Sequence, residues 1–204
     1  MAEAIRARAG ITDAEVDAEY GSNPKPKGLE NSEYVLAIVR AIDKRFGGVS
    51  GEWIKGFMRD VFLYTKRAGV RTEVDKIVTQ SLNEEPTIVV AHSLGAVVAY
   101  NVLRSDPRRL NIPLLVTVGC PLGIRPIRDE FRPLRFPAPV SVWYNAYDKR
   151  DVVALYPLDR DNFPVSPSVH NYDGVNNQTE NRHGIDGYLD DPDVAKEILS
   201  AIKA

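Results

Sequence analysis

Two hydrophobic rhythms divide this chain near Pro86. Before it, apolar residues recur every three to four positions. After Ser32, which can cap a helix, come Val35, Ile38, Val39, Ile42 and Phe46; Ile54, Phe57, Met58, Val61, Phe62 and Tyr64 repeat the pattern within 53–66. That spacing gathers each set on one helical face. A third helix is predicted over 70–82, and a Pro-, Gly-, Asn- and Lys-rich loop between Tyr20 and Glu30. After Pro86 continuous apolar runs alternate with helical ones. Strands are predicted at 87–91, 112–118 and 140–145, with a further candidate at 165–172 that has Pro167 against its first half. A helix is predicted at 94–103. The closing helix has Asp191 as cap, Pro192 in its first turn, and Val194, Ile198, Leu199 and Ile202 as its inner stripe. Apolar strands separated by helices predict an α/β fold: a mostly parallel sheet flanked by helices. The chain reads as one domain, with a helical N-terminal part (1–85) and a core (86–204).

The candidate chemistry begins in Ile88-Val89-Val90-Ala91-His92-Ser93-Leu94-Gly95, an apolar strand running into a serine and then a helix. A serine hydroxyl is a weak nucleophile until a base takes its proton and donors stabilise the oxyanion. A sharp strand-to-helix turn lifts Ser93 above the sheet and aims the Leu94 N–H at the developing charge. Crowding in such a turn calls for small residues two places either side, here Ala91 and Gly95.

The base must be a histidine, and the chain has only His92, His170 and His183. His92 adjoins the serine, so its side chain leaves the turn in another direction. His183, in the polar Asn181-Arg182-His183-Gly184 loop, is the first choice and His170 the reserve. The orienting carboxylate is expected in the loop after the 140–145 strand, which opens on the same crevice as the nucleophile. Asp151, followed by Val152-Val153, is the first choice and Asp148 the reserve. Ser93 as nucleophile, His183 as base and Asp151 as the orienting acid together predict acyl transfer through a covalent serine intermediate.

These stretches together resemble the C-terminal two-thirds of an α/β-hydrolase of the small esterase/lipase sort. Ala-His-Ser-Leu-Gly is similar to the nucleophile turn of some small bacterial lipases, with Ala for the first Gly. Thr117-Val118-Gly119-Cys120-Pro121-Leu122-Gly123 resembles a Gly-Ser-Pro-Leu turn of lipase-like members. Residues 145–154 resemble the acid loop and 183–189 the histidine loop. The resemblance covers roughly 86–204 and implies carboxylic ester hydrolysis, with no cofactor and no metal. It also implies a second oxyanion donor from a loop after an earlier strand, often in a His-Gly motif, and residues 1–85 contain none. Without that strand, 87–91 becomes an exposed edge that invites pairing. Three arrangements would answer this: a fragment or misassigned start, a second copy or subunit completing the edge, or a cover of N-terminal helices. The first two jointly are the expectation. A rival reading is a non-catalytic or partner-dependent interaction subunit that keeps the fold.

Composition narrows the partners. With 204 residues and a net charge of -2 there is no electrostatic reason to expect nucleic acid. No apolar run approaches a membrane span, and residues 1–10 lack a secretory apolar core. One cysteine, Cys120, excludes an internal disulfide and fits a reducing compartment, the cytoplasm by default; packing is its expected role. Arg125, Arg128, Arg132 and Arg135, interleaved with Ile127, Phe131, Leu134 and Phe136, read as a solvated loop or as a seat for an anionic head group.

Overall fold

The computed structural model describes residues 9–20 and 51–203, with single positions at 3, 6, 7, 37, 38, 40, 41, 44 and 45. The loop read up to Glu30 therefore lies outside the described residues, and of the helix read after Ser32 only positions 37, 38, 40, 41, 44 and 45 are described, all helical. Ile38, one residue of that helical stripe, is described and is fully buried.

The elements run α1 (Asp13–Tyr20), α2 (Gly51–Lys66), α3 (Ala68–Ser81), β1 (Val89–His92), α4 (Leu94–Ser105), β2 (Ile112–Val118), α5 (Arg125–Arg128), β3 (Val140–Ala146), β4 (His170–Tyr172), α6 (Ile185–Leu189) and α7 (Pro192–Ile202). Four strands form a sheet in the order β1-β2-β3-β4, every neighbouring pair parallel. The fold is α/β. Parallel neighbours need crossovers, and α4 supplies the one between β1 and β2.

Strand side chains alternate between two packed faces. Leu115 and Trp143 join the larger core, with Ile54, Phe57, Val61 and Tyr64 of α2 and Val97, Val98 and Leu103 of α4. Leu114, Val116, Val118 and Ala146 face the other way, against Tyr188, Val194 and Ile198. A buried polar thread crosses the first face. Trp143 Nε1–H donates to Thr117 Oγ1 (2.9 Å), whose hydroxyl donates to Asn145 Oδ1 (2.9 Å). Asn145 Nδ2–H then donates to Asn171 Oδ1 (3.0 Å). Each link satisfies a polar group that burial would otherwise leave costly.

Three sequence expectations change. Strand pairing in the 165–172 segment is confined to β4, its last three residues, because Pro167 has no N–H for a ladder. In α7, Asp191 caps as expected, accepting from the Asp193 and Val194 amides. Leu199 (53%) and Ile202 (65%), however, are exposed. Helical period predicts a face but not where the surface beneath it stops. Phe62 of α2 is exposed for the same reason. Sheet order makes β1 a terminal strand, and among the described residues no strand pairs with its outer edge.

Candidate functional site

Ser93 stands where β1 ends and α4 begins. Its N–H still donates to Val118 O (3.1 Å), holding it to the sheet, while its carbonyl accepts from the Ala96 N–H (3.0 Å). Meeting both demands leaves Ser93 at φ 55°, ψ −127°. A side-chain-bearing residue held there costs about 1–3 kcal/mol, a strain typical of positions where geometry serves function. Ala91 is buried. The crowding expected at Gly95 is absent: a Cβ there would meet no atom within 4 Å beyond its own turn. Gly95 instead leaves room beside Ser93.

His183 and Asp151 meet this hydroxyl. His183 Nε2 lies 2.7 Å from Ser93 Oγ, and His183 Nδ1 lies 2.6 Å from Asp151 Oδ2. An ionised carboxylate only accepts, so Nδ1 carries the proton and Nε2 is free to accept the serine O–H. Both partners are buried, Asp151 at 0% exposure and His183 at 3%. Asp151 sits in a closed turn: its N–H donates to Asp148 O (3.0 Å) and Val153 N–H donates to its Oδ1 (2.9 Å). Tyr188 O–H donates to the same Oδ2 that receives the imidazole (2.5 Å). Burial, and then the Asp151 charge, push the Tyr188 phenol far above its ordinary range, so it stays a donor.

The loop bearing His183 is tied from behind by amides and hydroxyls. His183 N–H donates to Asn181 Oδ1 (3.1 Å), Gly184 N–H to Thr179 Oγ1 (2.9 Å), and Asn177 Nδ2–H to Gly184 O (2.9 Å). His92 adds a clamp, its Nε2–H donating to His183 O at 2.6 Å. Desolvation first, and the neighbouring imidazole second, depress the His92 pKa, which keeps that ring neutral. Gly119, at φ +58°, passes beneath the His183 ring: a Cβ there would sit 3.0 Å from His183 Cε1 and 3.2 Å from Tyr188 Cε2. Only glycine gives both that conformation and that clearance.

The reserve residues fall elsewhere. His170 is exposed on β4, at the opposite sheet edge from β1. Three strand spacings of about 4.8 Å each separate them. Asp148 is buried but turned to Arg150 (Nε 3.1 Å, Nη2 3.0 Å) and the Asn177 amide (2.8 Å). Burial alone would raise its pKa; the Arg150 hydrogen bonds outweigh it and hold the carboxyl below its ordinary value. Three of the four arginines of the 125–135 insert are occupied by ion pairs, while Arg135 is exposed. Arg125, Arg128 and Arg132 all reach Asp129, and Arg128 also caps Asn162 O. Cys120 is buried, and desolvation pushes its thiol up to about 12.

A pocket of about 440 Å³ opens over Ser93, lined by His92, Leu94, Gly95 and His183 on one side and by Trp53, Gly56, Phe57 and Asp60 of α2 on the other. The Trp53 ring meets the His183 ring edge-on at 4.9 Å. Sequence reasoning read α2 only as a core-facing helix and missed this wall. It also missed Tyr188 and the Asn177–Thr179–Asn181 brace. An Asn/Thr cluster just ahead of a candidate histidine was the available signal. Among the described residues no group of three His, Cys, Asp or Glu side chains is placed to hold a metal ion, and no helix is long and apolar enough to cross a membrane. In comparisons with protein-family models, curated proteins and solved structures, nothing matches this chain. The functional reading therefore rests on the site itself.

Proposed function

We propose that this chain is a serine hydrolase of the α/β-hydrolase kind, cleaving carboxylic esters through an acyl-enzyme on Ser93. The carrying observation is the unbroken hydrogen-bonded path Ser93 Oγ–His183–Asp151, at 2.7 and 2.6 Å, opening on a pocket. His183 Nε2 takes the Ser93 proton as Oγ bonds to the ester carbonyl carbon. The carbonyl oxygen becomes an oxyanion facing the Leu94 N–H. Collapse of this adduct expels the alcohol, which receives the proton from His183. Water, deprotonated by His183, then releases the acid and restores the serine. Asp151 fixes the ring's tautomer and stabilises the transient imidazolium. The substrate is a small-molecule ester or lipid, and the single thiol accords with a reducing compartment such as the cytoplasm.

Ser93→Ala should abolish labelling by a fluorophosphonate probe and lower turnover of short p-nitrophenyl esters by about 10³-fold or more. Undiminished labelling in that variant would remove Ser93 from the mechanism. The terminal position of β1 favours one refinement: a second copy or subunit pairs with that edge and completes the oxyanion hole. Labelling that appears only after a partner chain is added would establish that dependence.

A further inference from the structure

α2 brings Trp53, Gly56, Phe57 and Asp60 to the pocket. Trp53 and Phe57, one turn apart, stack with centroids 6.0 Å apart and planes 13° from parallel, and both rings present toward His183. Gly56 lines the same pocket beside them. Glycine in mid-helix is less favourable than alanine, and nothing local demands it here: a Cβ at Gly56 would meet no atom within 4 Å. What the missing side chain leaves is space in front of Ser93. The charged group at this wall is Asp60, paired with Arg59 at 3.2 Å, and no lysine or arginine lines the pocket among the described residues. Of the arginines of the 125–135 insert, whose spacing admitted an anionic ligand, Arg125, Arg128 and Arg132 are engaged with Asp129, and none of the four lines this pocket.

We infer that Gly56, flanked by Trp53 and Phe57, opens a slot for an uncharged apolar acyl chain, and that the preferred ester carries such a chain and not an anionic acyl group. The inference rests on the serine hydrolase reading. The slot's volume falls within the range of small-molecule sites. Apolar walls reward each buried methylene by about fourfold in apparent affinity. The acyl chain runs along α2, its carbonyl at Ser93 and its tail past Gly56. Asp60 disfavours a terminal carboxylate, an effect that solvent and Arg59 keep small.

The test is kcat/KM across p-nitrophenyl esters with two to eight acyl carbons, beside an ester of the same length ending in a carboxylate. Expected are a rise with chain length, a fall of the long-to-short ratio by roughly tenfold or more in Gly56→Leu, and a smaller fall in Gly56→Ala. Gly69→Ala, an exposed glycine of α3 with open space around it, should leave the ratio unchanged. Gly56→Ala carries the test if the leucine variant does not fold. The carboxylated ester should react more slowly than its neutral counterpart, and Asp60→Asn should narrow the gap about twofold. A binding arm avoids catalysis: in Ser93→Ala, neutral n-alkanamides should quench Trp53 fluorescence, more tightly as they lengthen, and Gly56→Leu should remove the response. A chain-length ratio and amide binding both unchanged in folded Gly56 variants overturn the slot. Amide binding that depends on Gly56 without Ser93-dependent ester turnover upholds the slot and overturns the hydrolase reading.

Discussion

The two walls of the pocket are built from opposite materials. On one side the loops after β1, β3 and β4 hold Ser93, Asp151 and His183 through a buried polar network in which each of these side chains has a named partner. Across from it, α2 offers stacked rings and a glycine, and its sequence is an ordinary amphipathic helix. The contrast separates two tasks. Polar groups in a low-dielectric site must be held within a fraction of an ångström, because each unpaired one is costly and each misaimed one is useless. An apolar wall tolerates changes of shape, so selectivity can vary there without disturbing the polar side.

The sharpest way to break this contrast is within the polar wall. On the proposed mechanism, Asp151→Asn should lower kcat by about 10²–10⁴-fold with little change in KM, because the amide cannot enforce the Nδ1–H tautomer. Equal losses in kcat from Asp151→Asn and Asp148→Asn would show that the two acids are not distinguished as their contacts suggest. Gly119→Ala comes next. Its Cβ would press on the His183 ring at 3.0 Å from a positive φ, and kcat should drop roughly 10- to 100-fold while the α2 selectivity ratio holds. A shifted ratio would mean that the walls are coupled.

The smallest expected effect belongs to Asp148→Asn, which should act on stability and lower Tm by a few degrees. The sign with pH follows from the direction of its shift. A carboxyl whose folded pKa is depressed contributes stability that is present above its unfolded pKa, ordinarily 3.8, and lost as pH falls through the lower folded value. Acid unfolding curves of wild type and Asp148→Asn should therefore differ near neutrality and converge in strong acid. A gap that widens as pH falls below 3.8 would contradict the Arg150 pairing as its cause.

Much of this arrangement could be read from residue order alone. Apolar runs broken by helices located β1, β2 and β3 to within two residues. A strand ending in Ser93, with an acid loop and a histidine loop downstream, singled out the three side chains that the fold brings together. Those signals were local. What escaped was long-range: nothing near Trp53 or Gly56 in the chain says that His183 lies over them, because their shared spacing also describes plain core residues. Leu199 and Ile202 misled for a related reason, since a helix can outrun the sheet it lies on. Tyr188 carried no signal of its own, and its hydroxyl acquires meaning only once Asp151 lies within its reach.

The clamp from His92 to the carbonyl of His183 ties together two residues that are ninety-one positions apart in the chain. Neighbouring residues 92 and 93 both grip residue 183, one by its backbone and one by its ring. A swing of that loop would thus have to release two latches, and on its return the second fixes the orientation that the first alone would leave free. Anyone transplanting this serine turn into another scaffold should carry residue 92 along with it, because the imidazole would otherwise arrive without a stop.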